Sequence, residues 1–93
     1  RIVLDFAVNG APMGSEIRVG GPPRIIASAE GTAPIKLFRV VKNGQVVYAI
    51  EPGGASAHLE YKDISGDYDA KYYYIDLVQD DGKKAISRPV WVN

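Results

Sequence analysis

Glycine and proline punctuate this chain too often for any long helix. Ten glycines and six prolines are spread through 93 residues, and each would cost roughly 1–3 kcal/mol in a helix interior. The runs between them are short, β-rich and bounded by turn chemistry, at about the 8–12-residue spacing of a sandwich. Ile2, Leu4, Phe6 and Val8 alternate with less apolar neighbours, the period of a half-buried strand. Asn9-Gly10 ends that run, Met13 to Val19 continues the edge of the sheet, and Gly20-Gly21-Pro22-Pro23 breaks it. Arg24 to Glu30 reads as the next strand, closed by Gly31, and Pro34 precedes another from Ile35 to Lys42.

Asn43-Gly44 is the strongest hairpin signal, because both central residues of a type I′ turn need positive φ. That turn sets Val41 opposite Val46 and Val40 opposite Val47. A short strand follows from about Ala57 to Tyr61, then the acidic turn Asp63 to Asp69 and a long strand from Tyr72 to Gln79. Asp81-Gly82 turns it back into Lys84 to Val92, which places Val78 opposite Ala85 and Leu77 opposite Ile86. Pro89 lacks a ladder donor, so the last strand should bulge there or lie at an edge. The reading is an all-β, immunoglobulin-like antiparallel β-sandwich of seven or eight strands, a single domain over residues 1–93. Its expected core is Leu4, Phe6, Ile26, Phe38, Val40, Leu59, Tyr73, Ile75, Leu77, Val90 and Val92.

Eleven basic and eleven acidic residues cancel, so no strong field draws in nucleic acid or an anionic membrane. There is no cysteine, which leaves no disulfide and no thiolate site. No apolar run approaches the ~18 residues of a membrane helix. The chain opens at Arg1 in mid-strand pattern and reads as a fragment of a larger protein, its compartment open.

Tyr72-Tyr73-Tyr74-Ile75-Asp76-Leu77-Val78-Gln79-Asp80-Asp81-Gly82, followed by Ala85-Ile86-Ser87-Arg88-Pro89-Val90-Trp91-Val92, resembles a YYYVRVTQxDGxxAWSSPIWV ending. That ending belongs to a bacterial family of unknown function whose large members carry a metal-dependent hydrolase-like domain akin to the PHP (polymerase and histidinol phosphatase) phosphoesterases. Phe6 to Gly14, Gly31 to Ile35 and Lys42-Asn43-Gly44 are similar to the same region. Ile86 and Arg88 depart from the pattern, which has tryptophan and serine there. The resemblance implies a C-terminal accessory domain of a bacterial protein, separated here from its hydrolase part; any export signal is expected in the missing part.

The residues themselves offer no catalytic set and call for no cofactor. A PHP-type centre needs several histidines and carboxylates around two or three ions, whereas His58 is the single histidine and reads as a strand-edge residue. Gly20-Gly21 and Gly53-Gly54 are turns, not phosphate loops. The acidic turn 63–69 could be a calcium site, but its spacing is not that of an EF-hand and a solvated turn is the plainer reading.

Tyr73, two residues before core position Ile75, fits the tyrosine corner of immunoglobulin-like domains, with its hydroxyl bonded to backbone in the 66–70 turn. Tyr72 and Tyr74 then face the other way. The same parity turns Leu37, Val41, Val46 and Tyr48 outward. One sheet should therefore present Tyr48, Tyr72, Tyr74 and Trp91 beside Val41 and Val46. Two functions suit such a face: packing on the hydrolase-like domain or a second subunit, with weak dimerisation of the free chain, or stacking of Tyr and Trp on a carbohydrate or other extracellular polymer. The aliphatic residues in the patch favour packing.

Overall fold

Both Asn-Gly pairs form the turn their chemistry dictates. Asn9 and Asn43 take φ of 51° and 52°, and Gly10 and Gly44 follow at 82° and 83°. Side-chain amides tolerate this region and glycine has no Cβ to clash. The computed structural model describes residues 1–65 and 71–93. Among them run ten strand segments: β1 (Val3–Val8), β2 (Ala11–Pro12), β3 (Glu16–Ile17), β4 (Arg24–Glu30), β5 (Ile35–Lys42), β6 (Gln45–Ile50), β7 (Ser56–Lys62), β8 (Tyr72–Gln79), β9 (Lys84–Ile86) and β10 (Val90–Val92). Two are two-residue edge pieces, and β9 and β10 are halves of one strand parted around Pro89. Seven long strands remain, as the turn spacing predicts.

The first sheet has the order β2-β1-β4-β7 and the second β3-β10-β8-β5-β6, with β9 also on β8. All pairings are antiparallel except β3 with β10. Between the sheets lie Phe6, Val8, Ile25 and Leu59 from one side and Phe38, Val40, Tyr73, Ile75, Leu77 and Val90 from the other. This is the two-layer sandwich expected from period-2 patterning.

Three details of parity differ from the sequence reading. In β4 it is Ile25, not Ile26, that enters the core; Ile26 is 41% exposed. Arg24, Ser28 and Glu30 share its face and carry it outward.

In the β5–β6 hairpin Val41 does face Val46, but Val40 faces Tyr48 rather than Val47. Val47 is the extra residue of a bulge, and every later side chain of β6 changes face.

In the β8–β9 hairpin Leu77 pairs with Ala85 and Val78 with Lys84, one residue short of the expected register. Asp80, Asp81 and Gly82 form a three-residue loop in which the Gly82 N–H donates to Gln79 O at 2.9 Å and Gly82 takes φ 86°. A three-residue loop with a left-handed last residue displaces the partners by one relative to a two-residue turn.

Gln79 causes the longer loop to close where it does. Its amide is buried and accepts from the Thr32 N–H at 2.8 Å, while its NH₂ donates to Thr32 Oγ1 and Asp81 Oδ1, both at 3.1 Å. A buried amide so satisfied holds the strand end in one position.

Candidate docking face and the buried polar cluster

The outer face of the second sheet carries the aromatic strip. Trp91 pairs with Tyr72, and Val41 lies opposite Tyr74 on one side and Val46 on the other. Directly paired residues share a face, so these five side chains are contiguous. The Tyr72 and Tyr74 rings are nearly parallel at 6.1 Å, and Trp91 tilts against Tyr72 at 5.6 Å. Trp91 and Val46 are about half exposed, at 49% and 50%, whereas Val41 is buried beneath its neighbours. Beside them Arg39 makes a two-pronged bond to the Asp76 carboxylate, at 2.7 and 2.8 Å. That pairing holds the Arg39 guanidinium above its usual value.

Trp91 reaches Tyr72 because two irregularities cancel. The loop at residues 80–82 pulls the register back by one, and the break at Ser87–Pro89 restores it. At the break Ser87 Oγ accepts the Ile75 N–H at 3.0 Å and donates to the Arg88 carbonyl at 2.9 Å. The hydroxyl keeps a ladder donor satisfied where the strand departs.

Tyr48 does not belong to this strip. The bulge at Val47 turns it inward, where it packs on the core and stacks with Tyr61 of the first sheet at 4.9 Å. The stack closes the side of the sandwich between β6 and β7. The expected outward placement of Tyr48 is corrected by that one extra residue.

Tyr73 is fully buried, as its parity requires. Its hydroxyl donates to Asp63 Oδ2; the expected backbone partner in 66–70 lies outside the described residues. Lys42 reaches the same carboxylate oxygen at 2.8 Å and Ser65 Oγ at 3.2 Å, with both charged side chains almost wholly buried. The Ser65 N–H donates to Asp63 Oδ1 at 3.3 Å. Burial would push the Asp63 carboxyl up, but hydrogen bonds from Lys42, Tyr73 and Ser65 outweigh it and hold it at about 2. Asp63 is thus engaged as an internal anion. The rest of the proposed calcium turn, from 66 to 69, lies outside the described residues. Sequence reading missed Lys42 here, although it shares the inward parity of Phe38 and Val40.

This geometry separates two neighbouring tyrosines. Tyr73→Phe removes a buried bond to a charged acceptor and should destabilise by roughly 1.5–3 kcal/mol. Tyr74→Phe should change stability by less than about 0.5 kcal/mol, since the Tyr74 hydroxyl bonds no described residue. Urea melts of the two variants would decide; the reverse ranking would disprove the assignment.

His58 lies on the outer face of the first sheet opposite Ser28, largely exposed and 3.9 Å from Glu60. Among the described residues, no group of three or more His, Asp or Glu side chains is arranged to hold a metal ion.

No protein-family profile matches the chain. It is 33% identical over 110 aligned positions to an uncharacterized protein of Chlamydia pneumoniae. It is 27% identical to one of Chlamydia muridarum and 26% identical to one of Chlamydia trachomatis. In each case the whole chain is covered but only 18% of the relative. The chain thus spans less than a fifth of the length of the curated bacterial relatives it matches. Their descriptions name no catalytic activity.

Proposed function

We propose that these 93 residues are a non-catalytic accessory domain of a longer polypeptide, docked on a neighbouring domain through the outer face of the second sheet. The observation that carries this reading is the contiguous strip of Tyr72, Tyr74, Trp91, Val41 and Val46, with its rim half exposed. Such strips on small domains mark contact surfaces, and the aliphatic members suit a protein partner better than a sugar. The length of the relatives supplies a partner within the same chain. On the resemblance of the Tyr72–Val92 segment, that neighbour is the metal-dependent hydrolase-like domain.

Changing Tyr74 and Trp91 together to serine in the longer polypeptide should release the domain. Limited proteolysis between the two domains should accelerate at least tenfold while the isolated domain melts nearly unchanged. A parallel titration of the 93-residue chain with glycans tests the competing role. Unchanged proteolysis, with sugar affinity that vanishes in the double variant, would replace docking with carbohydrate binding.

A further inference from the structure

The last strand is covered on its outer edge for only half its length. Beside β10, the segment 14–17 runs parallel: the Gly14 N–H donates to Pro89 O at 2.7 Å, and the N–H groups of Trp91 and Asn93 donate to Ser15 O and Ile17 O at 2.8 Å. Beside β9 no strand of the described residues follows. The Gln79 N–H donates to Lys83 O and the Ser87 N–H to Ile75 O, so the odd-numbered residues of β9 turn their main chain toward β8. The N–H and C=O of Lys84 and Ile86 therefore point away from the sheet, and they bond no described residue.

A depression of about 240 Å³ runs along this open edge, between the two sheets. Ile2, Leu4 and Met13 form its apolar side, and Ala85, Ile86 and Arg88 the other. Arg88 lines it, and Lys83 and Lys84 stand at the start of the same edge, all three exposed. A strand laid on β9 would place alternate side chains into the depression and leave the others near these cations.

We propose that the open edge of β9 receives an extended segment of the longer polypeptide, alternating apolar and acidic residues, as an added strand. Charge complementarity sets the acidic character, and the apolar depression sets the alternation. A second copy of the chain is a poorer occupant, because two β9 edges would gather Lys83 and Lys84 from both. A three-residue edge is also far short of the ~1,200–2,000 Å² that a stable interface between free partners buries. A segment of the same polypeptide escapes that limit, since a tether supplies an effective concentration in the millimolar range. The relatives are long enough to carry one. This site is separate from the Tyr74–Trp91 face.

The test follows the amides of Lys84 and Ile86. In the longer polypeptide their hydrogen exchange should be at least tenfold slower than in the 93-residue chain, and the Tyr74, Trp91 serine pair should leave that protection intact. An acetylated Val-Glu-Val-Glu-Val peptide, titrated to millimolar concentration into the 93-residue chain, should shift both amide resonances, whereas Val-Lys-Val-Lys-Val should not. Lys84→Glu, which keeps the main-chain donor and the fold, should weaken the first peptide at least fivefold. Equal response to both peptides, or shifts confined to other strands, would overturn the site. Peptide binding with unprotected amides in the longer polypeptide would overturn its occupant.

Discussion

Asp63→Ala is expected to lower the unfolding free energy by about 3–5 kcal/mol, the cost of removing one partner from a buried ion pair. The loss takes from the Lys42 ammonium, which is 5% exposed, the carboxylate it meets at 2.8 Å. It also removes the carboxylate to which the Tyr73 hydroxyl donates. Lys42→Met should cost less than Asp63→Ala, because Tyr73 and Ser65 still donate to the remaining anion. The double variant Lys42→Met, Asp63→Leu should recover part of the loss, since two apolar side chains of similar volume replace the pair. Denaturant melts of the wild type, Lys42→Met, Asp63→Leu and the double variant form a double-mutant cycle, and additive losses would mean that the two groups do not interact.

The same pair fixes an acid limb. The folded Asp63 carboxyl sits at about 2, below its ordinary 3.8. Its contribution is therefore fully present above pH 3.8 and fades as pH falls through 2, because the unfolded chain binds the proton first. Asp63→Ala should flatten the stability profile in that window.

Leu77→Ala should destabilise by about 2–5 kcal/mol through lost burial and a residual cavity. Leu77 is fully buried, with Phe38 and Ala85 as its cross-strand partners. A change below roughly 0.5 kcal/mol would mark a surface position and would overturn the parity of β8. Circular dichroism with a dominant helical signal would sink the sandwich itself.

Much of this architecture is legible from residue types alone. Arg24–Glu30, Ile35–Lys42 and Tyr72–Gln79 carry their own ends, because turn residues bound each run. The hidden part is parity after an insertion. Val46, Val47 and Tyr48 are apolar in succession, so nothing local says which is extra, and Tyr48 went to the wrong face. For β4 the signal was present: the charges of Arg24 and Glu30 assign the even positions to solvent. The slip at residues 80–82 depends on a buried Gln79, and no pattern marks a glutamine as buried. Lys42 and Asp63 come together only through the tertiary fold, though the strand period already pointed Lys42 inward behind Val40. For the aromatic strip, the pairing of Trp91 with Tyr72 was legible only because two irregularities offset each other.

The parallel pairing of β3 with β10 gives the domain a direction in which it resists force. Both strands run the same way, so tension transmitted from residue 13 and from residue 93 draws them past one another. The bonds at Gly14, Trp91 and Asn93 are then loaded together in shear, and none can open ahead of the rest. A hairpin pulled at its open end yields one bond at a time. Set between moving neighbours, this fold would pass a pull along β3 and β10 and yield more readily to one across them.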